Sequence, residues 1–177
     1  MKKFFSLSLL SILLINIHAH SQTELSGNIT SDSVLTEGSQ YVLTGNLTIK
    51  SNATLSIQKN VVIDMGSYRI TVGSSTPGIL LAEEASFTTP GSYDREIRFQ
   101  DGGSGNINKC NLTQVAIVIL NDAADDISLT NNNFIDVVFP LRTHPARIPG
   151  FTGNSSAHEI IGIEGTLEEN VSLEIMQ

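Results

Sequence analysis

Asn46-Leu-Thr-Ile49, Thr54-Leu-Ser-Ile57 and Val62-Ile-Asp-Met65 write one short strand three times, eight residues apart. Leu47, Leu55 and Ile63 form one apolar column, and Ile49, Ile57 and Met65 form another. Thr48, Ser56 and Asp64 lie between them. Strict alternation over so few residues is strand patterning. Strands this short and this evenly spaced do not suit hairpins. A chain that turns a corner every eight residues and returns over itself is building a solenoid.

A second repeat sets the size of the coil. Residues 107–120 (INKCNLTQVAIVIL) align without gaps on residues 129–142 (LTNNNFIDVVFPLR), 22 positions further on. Apolar residues then meet at Ile107/Leu129, Leu112/Phe134, Val115/Val137, Ile117/Phe139 and Ile119/Leu141. Three faces of seven or eight residues make one coil of that length, so the two periods support each other. Successive coils pair in parallel about 4.8 Å apart. Asn111 lands on Asn133, which predicts a stack of side-chain amides at a turn. Runs rich in Val, Ile, Leu and Thr continue to Leu141, separated by Gly, Asn, Ser, Asp or Pro, and helical periodicity is missing after residue 21. The class is all-β; a β-sandwich with chance matches is the competing reading.

The start of the chain reads as an address. Lys2 and Lys3 precede an apolar stretch from Phe4 to Ile17, and Ala19-His20-Ser21 has small residues at a cleavage-site spacing. The apolar stretch is short for a membrane span and no second one follows. The whole chain carries a net charge of −8, and losing two lysines with the leader makes it more acidic still. Such a field disfavours nucleic acid and anionic membranes as partners. Cys110 is the only cysteine, so stability has to come from packing and backbone ladders rather than a disulfide.

The stretch Tyr41-Val-Leu-Thr-Gly-Asn-Leu-Thr-Ile49, followed by Ala53-Thr-Leu-Ser-Ile-Gln-Lys-Asn-Val-Val-Ile63, resembles the opening coil of secreted bacterial right-handed parallel β-helix proteins of the pectate-lyase-like superfamily. Cys110-Asn-Leu and Asn131-Asn-Asn-Phe134 resemble their "N-x-F" turn-and-strand repeats. The resemblance covers most of residues 25–142 and rests on structural positions, so it implies a fold and not an activity. The expected organisation is a signal peptide at 1–21, an N-terminal cap and first strand at 22–45, coils at 46–142 and an exit loop at 143–162. Ile163-Glu-Gly-Thr-Leu167 repeats Leu25-Ser-Gly-Asn-Ile29 at a distance of 138 residues. Residues 163–177 are therefore read as the start of a second, truncated unit, with a C-terminal cap as the other reading.

Two clusters carry candidate chemistry. The turn Asn121-Asp-Ala-Ala-Asp-Asp126 supplies Asp122, Asp125 and Asp126 as candidate Ca²⁺ ligands, since hard oxygens along a loop can hold that ion. It lacks regular ligand spacing, so a solvated corner is the expected role and no cofactor is assigned. Arg142, His144 and Arg147 gather bases in an acidic chain. Lyases of the resembled superfamily use such a base, which also needs carboxylates at matching positions on neighbouring coils. Asp136 is the nearest by sequence, and Pro140, Pro145 and Pro149 favour a loop leaving the helix. The paired aspartates, Gly-His-Gly and Arg-x-Lys of glycoside hydrolases with this fold are not present as a set.

The sequence thus leads to an exported, non-catalytic β-helix stalk or adhesion module of a larger secreted or surface protein, with extracellular glycan or a neighbouring surface protein as partner. The alternative is a polysaccharide lyase or glycoside hydrolase whose catalytic coils lie mostly outside this chain.

Overall fold

A computed structural model of the chain describes residues 22–91, 95–143 and 151–157, and the backbone of 161–163. Residues 1–21, read above as a leader, together with His144, Arg147 and the stretch after Ile163, lie outside the described residues. The chain enters with β1 (Thr23–Ile29), β2 (Ser33–Leu35) and the long β3 (Gln40–Ile49). Then follow β4 (Thr54–Ile57), β5 (Val62–Asp64), β6 (Ile70–Val72), β7 (Ile79–Glu83), β8 (Ser86–Thr88) and β9 (Arg95–Phe99). The later coils bring β10 (Ser104–Asn108), β11 (Asn111–Thr113), β12 (Val115–Ile119), β13 (Ile127–Thr130), β14 (Asn133–Ile135) and β15 (Leu141–Thr143). Residues 143–162, read above as an exit loop, carry β16 (Phe151–Thr152), β17 (Ser155–Ser156) and the start of β18 (Ile161–Ile163).

Every pairing among these strands is parallel, and every third strand stacks on the last. The result is a parallel β-solenoid of about 6 turns with no helix among the described residues. It has three faces. The first stacks β2, β4, β7, β10, β13 and β16. β3 is long enough to bend round a corner, so its Gln40–Val42 end starts the second face on β5 and its Leu47–Ile49 end starts the third on β6. The three strands that opened the sequence reading are therefore the third, first and second faces in turn.

The bore is filled in columns. Leu35, Ile57, Ala82, Ile107, Leu129 and Phe151 stand one above another on the first face, all buried. Tyr41, Ile63, Phe87, Leu112 and Phe134 do the same on the second. One coil puts Phe87 and Phe99 into the bore together with Ala82 and Ala85, so large and small side chains share a cross-section. Each fully buried Leu, Ile or Phe contributes about 1.5–3 kcal/mol relative to exposure.

Corners are columns too. Asn60, Glu84, Lys109 and Asn131 all take the left-handed conformation, with φ of 60°, 51°, 52° and 56°, where the first face turns into the second. The following residue points inward, giving Val61, Ala85, Cys110 and Asn132 at the same corner. Desolvation by burial is the main reason the Cys110 thiol is pushed up from its ordinary 9.0 to about 11. It behaves as a small apolar residue in the bore.

Register departs from the uniform 22-residue coil in one informative place. Ile117 pairs with Leu141 and Ile119 with Thr143, not with Phe139 and Leu141. The ungapped match holds through Val137, which is fully buried, and then slips by two because Val138 and Phe139 bulge outward, 53% and 44% exposed. Pro140 follows the bulge and donates no N–H; its carbonyl accepts from Ile117 N at 2.9 Å.

Two outcomes check this fold. Gly73 turns a corner at φ +86°, and a Cβ there would lie 1.9 Å from the Gln100 carbonyl oxygen. Gly73→Ala is expected to cost about 2 kcal/mol or more in urea unfolding; an unchanged midpoint would contradict the corner. At about pH 8, iodoacetamide should label Cys110 far more slowly in the native protein than in the urea-unfolded chain. Equal rates would place the thiol outside the bore.

A candidate anion-binding surface on the third face

Strand alternation sends Glu96 and Arg98 of β9 outward, while Ile97 and Phe99 fill the bore. Thr71, Arg98, Val118 and Arg142 form one outward column, and Glu96 stands over Ala116 in the next. Arg69 sits just ahead of β6. Together these positions turn four separate stretches of chain into one charged cluster.

Glu96 is its centre. Its Oε1 accepts from Arg69 at 2.9 Å and pairs with Arg98 at 2.7 Å, while its Oε2 pairs with Arg142 at 2.8 Å. The Glu96 side chain is 14% exposed, so these contacts are partly shielded from solvent. Arg142 reaches Glu96 across two coils, roughly 10 Å of sheet at about 4.8 Å per strand. It can do so because the residue between is Ala116, which leaves a gap for the pair to bridge. Ala116 and Val118 face outward yet are buried (4% and 2% exposed), so β12 is covered on both sides.

Arg95 completes the cluster. It opens β9 at a corner, and its Nε donates to the Gly66 carbonyl at 3.2 Å. Alone among the four arginines it makes no ion pair with a described residue. It lines two hollows at once. One, of about 350 Å³, is bounded by Asn46, Ser67, Tyr68, Arg69, Arg95 and Glu96. The other, of about 180 Å³, lies between Arg95, Ala116, Phe139 and Arg142. Four of the five arginines in an acidic chain thus gather near one carboxylate among the described residues, Glu96.

A larger hollow of about 750 Å³ lies on the first face, beside Ser56, Leu81 and Asn106. Most of its charges are already paired at exposed corners, Lys59 with Glu37 at 3.4 Å and Lys109 with Glu84 at 3.3 Å, while Glu83 accepts from the Asn108 amide at 3.4 Å. Such surface pairs are weak, and the floor of that groove is mostly uncharged. Size favours the first face; convergence of donors favours the third, and chemistry follows donors.

The residues singled out from sequence are spread over the molecule. Arg142 belongs to the cluster, whereas His144 and Arg147 lie outside the described residues. Asp122, Asp125 and Asp126 occupy the exposed turn between β12 and β13, where the Asp122 backbone carbonyl accepts from Gly102 N at 2.7 Å. Among the described residues no three His, Cys, Asp or Glu side chains converge as a metal-holding group. Asp136 takes φ 53° at the exposed corner after β14. Asn111 and Asn133 stack in register with a 3.4 Å amide contact, extended by Ser155 Oγ donating to Asn133 at 3.0 Å. The stronger ladder is one position earlier. Asn132, 1% exposed, accepts from Cys110 N at 2.9 Å and donates to the Ile107 carbonyl at 2.8 Å. Asn154 repeats the pattern one coil on, at 2.9 Å to Asn132 N and 2.8 Å to the Leu129 carbonyl.

Arg69, Arg95, Glu96 and Arg98 escaped the sequence reading. The only available signal was the concentration of arginines in a lysine-poor, acidic chain; which coil each belonged to was hidden by unequal coil lengths. No protein-family model, curated protein or solved structure matches this chain.

Removing the carboxylate tests the cluster. Glu96→Ala leaves neighbouring guanidiniums to repel one another and is expected to cost about 1–3 kcal/mol in low salt, with part regained in molar salt. Urea unfolding at two ionic strengths measures this, and a loss unaffected by salt would mean the cluster is not electrostatic. Asn132→Ala should cost a comparable amount, about 2–3 kcal/mol, because it strands a buried N–H and a buried carbonyl. That loss should not respond to salt.

Proposed function

We propose that this chain is a non-catalytic binding and spacing module of a larger secreted or surface-exposed bacterial protein, a right-handed parallel β-helix of the pectate-lyase-like kind that holds extracellular glycan along one outer face. The observation that carries the reading is the state of the charges on the third face. The one carboxylate among the described residues of that cluster, Glu96, is held by three guanidiniums and so is engaged in structural pairing rather than presented to a substrate. What the face still offers is donors: guanidinium N–H groups, the Asn46 amide and exposed aromatic rings. Donors with no acceptor base among them suit recognition of an oxygen-rich ligand.

The rigid backbone supports the same role. Outward side chains repeat at the strand spacing along the solenoid axis, so an extended polymer lying along a face meets contacts at fixed intervals. Individually weak contacts then add up along the chain of the ligand. No helix among the described residues is long and apolar enough to cross a membrane.

The test is retention without turnover. Native protein passed over immobilised neutral and acidic glycans, with and without Ca²⁺, should be retarded on at least one of them and release no reducing ends or unsaturated sugars. Clear product release would replace this reading with that of a polysaccharide lyase or hydrolase.

A further inference from the structure

We infer that Arg95 and the two hollows beside it form a site for one oxyanion-bearing sugar residue, a carboxylate or sulfate carried on an otherwise neutral glycan. The inference rests on the glycan-contact reading above and adds which ligand group the surface takes and where. Arg69, Arg98 and Arg142 are each drawn onto Glu96, at 2.9, 2.7 and 2.8 Å. Arg95 is not. Its Nε is pinned to the Gly66 carbonyl at 3.2 Å, which fixes the plane of the guanidinium and leaves its terminal N–H pair to meet a ligand. A planar, pre-oriented pair of N–H donors matches the two oxygens of a carboxylate or sulfate.

The walls of the hollows say what carries that anion. Tyr68 and Phe139, 36% and 44% exposed, stand on opposite sides of Arg95, one at each hollow. Exposed aromatic rings provide flat apolar surface for the C–H face of a sugar. Asn46 borders the same hollow as Tyr68; its Oδ1 accepts from Arg69 N at 3.2 Å, which turns its NH₂ group into the available donor. A hollow of about 350 Å³ is within the size range of small-ligand sites.

The charge balance sets the number of anions. The local surplus of positive charge is confined to this patch, while the chain as a whole carries −8. A polyanion would be drawn to the patch and repelled by the rest of the surface, whereas a single acidic residue in a neutral glycan meets only the attraction. The site therefore favours isolated acidic sugars over uninterrupted acidic polymers.

Isothermal titration with glucuronic acid, galactose 6-sulfate, glucose, inorganic sulfate and an oligogalacturonate, at fixed ionic strength, tests this. The two acidic sugars should bind in roughly the millimolar range and at least about tenfold more tightly than glucose. Arg95→Gln should remove that tenfold difference while leaving the circular dichroism spectrum unchanged, with only the small drop in unfolding midpoint that loss of the hydrogen bond to Gly66 brings. Tyr68→Ala should weaken both acidic sugars about fivefold and leave inorganic sulfate unaffected, which separates a sugar site from a bare anion site. Equal binding of glucose and glucuronic acid would overturn the inference. So would an Arg95→Gln protein that binds like the parent, the absence of binding by both acidic sugars to folded protein, or tighter binding per residue of the oligogalacturonate. Retention on neutral glycans alongside any of these failures would leave the binding-module reading standing without its acidic site.

Discussion

Each coil of this solenoid can hydrogen-bond only to the coil before it and the coil after it, strand on strand in parallel. That pairing holds the spacing along the axis at the strand separation and leaves no freedom to re-space a misfit side chain. Whatever occupies an inward position must therefore fit directly beneath and above its counterparts. Leu47, Ile70, Ile97, Ile117 and Leu141 obey this on the third face, and the Phe87, Phe99, Ala82 and Ala85 coil balances its volume internally. Corners inherit the same demand, which is why non-glycine residues accept a left-handed φ at Asn60, Glu84, Lys109 and Asn131. A left-handed residue costs about 1 kcal/mol, but the alternative is a corner that breaks the ladders on two faces.

The inward corner column shows how the fold handles polarity. Val61 and Ala85 give way to Cys110, then to Asn132 and Asn154. An Asn at this position is buried but not stranded: its amide takes an N–H and a carbonyl from the backbone of the preceding coil, replacing apolar contact with two hydrogen bonds. Buried polar groups are tolerated only when satisfied in this way. Cys110 is the junction between the two regimes, offering its own N–H to Asn132 while its side chain stays among apolar neighbours.

Much of the fold was legible in the sequence because the relevant signals are local. Leu47, Leu55 and Ile63 recur at eight residues and occupy three successive faces of one coil. The 22-residue match found the true register at Ile107/Leu129 and Leu112/Phe134. It failed beyond Val137 because two extra residues bulge outward before a proline, and a chance hydrophobic match at Phe139 concealed the slip. Asn111 and Asn133 were found and Asn132 was not, since three consecutive asparagines read alike until parity assigns one of them to the bore. The arginine cluster was out of reach for a different reason. Glu96 and Arg142 are 46 residues apart and meet only after two coils of unequal length. Periodicity cannot place a contact whose register depends on where the coils lengthen.

The third face joins these threads. Its covering of Ala116 and Val118 is what lets long side chains from β9 and β15 meet over β12, so small outward residues are as necessary to the cluster as the charges. Replacing Ala116 with a long side chain would fill the gap that the Glu96–Arg142 pair bridges, and would separate the pair without touching either member. Glu96 in turn does for the arginines what a buried counterion does in any crowded site. It gathers three of them, itself largely shielded while they stay partly exposed, and by gathering them it leaves Arg95 as an oriented donor at the edge. A carboxylate used only for stability could have been matched by one arginine. Matching it with three, beside a fourth whose Nε donates to the Gly66 carbonyl at 3.2 Å, concentrates positive charge where an acidic chain has least reason to tolerate it. That concentration is the strongest structural argument that the third face is built to meet an anion.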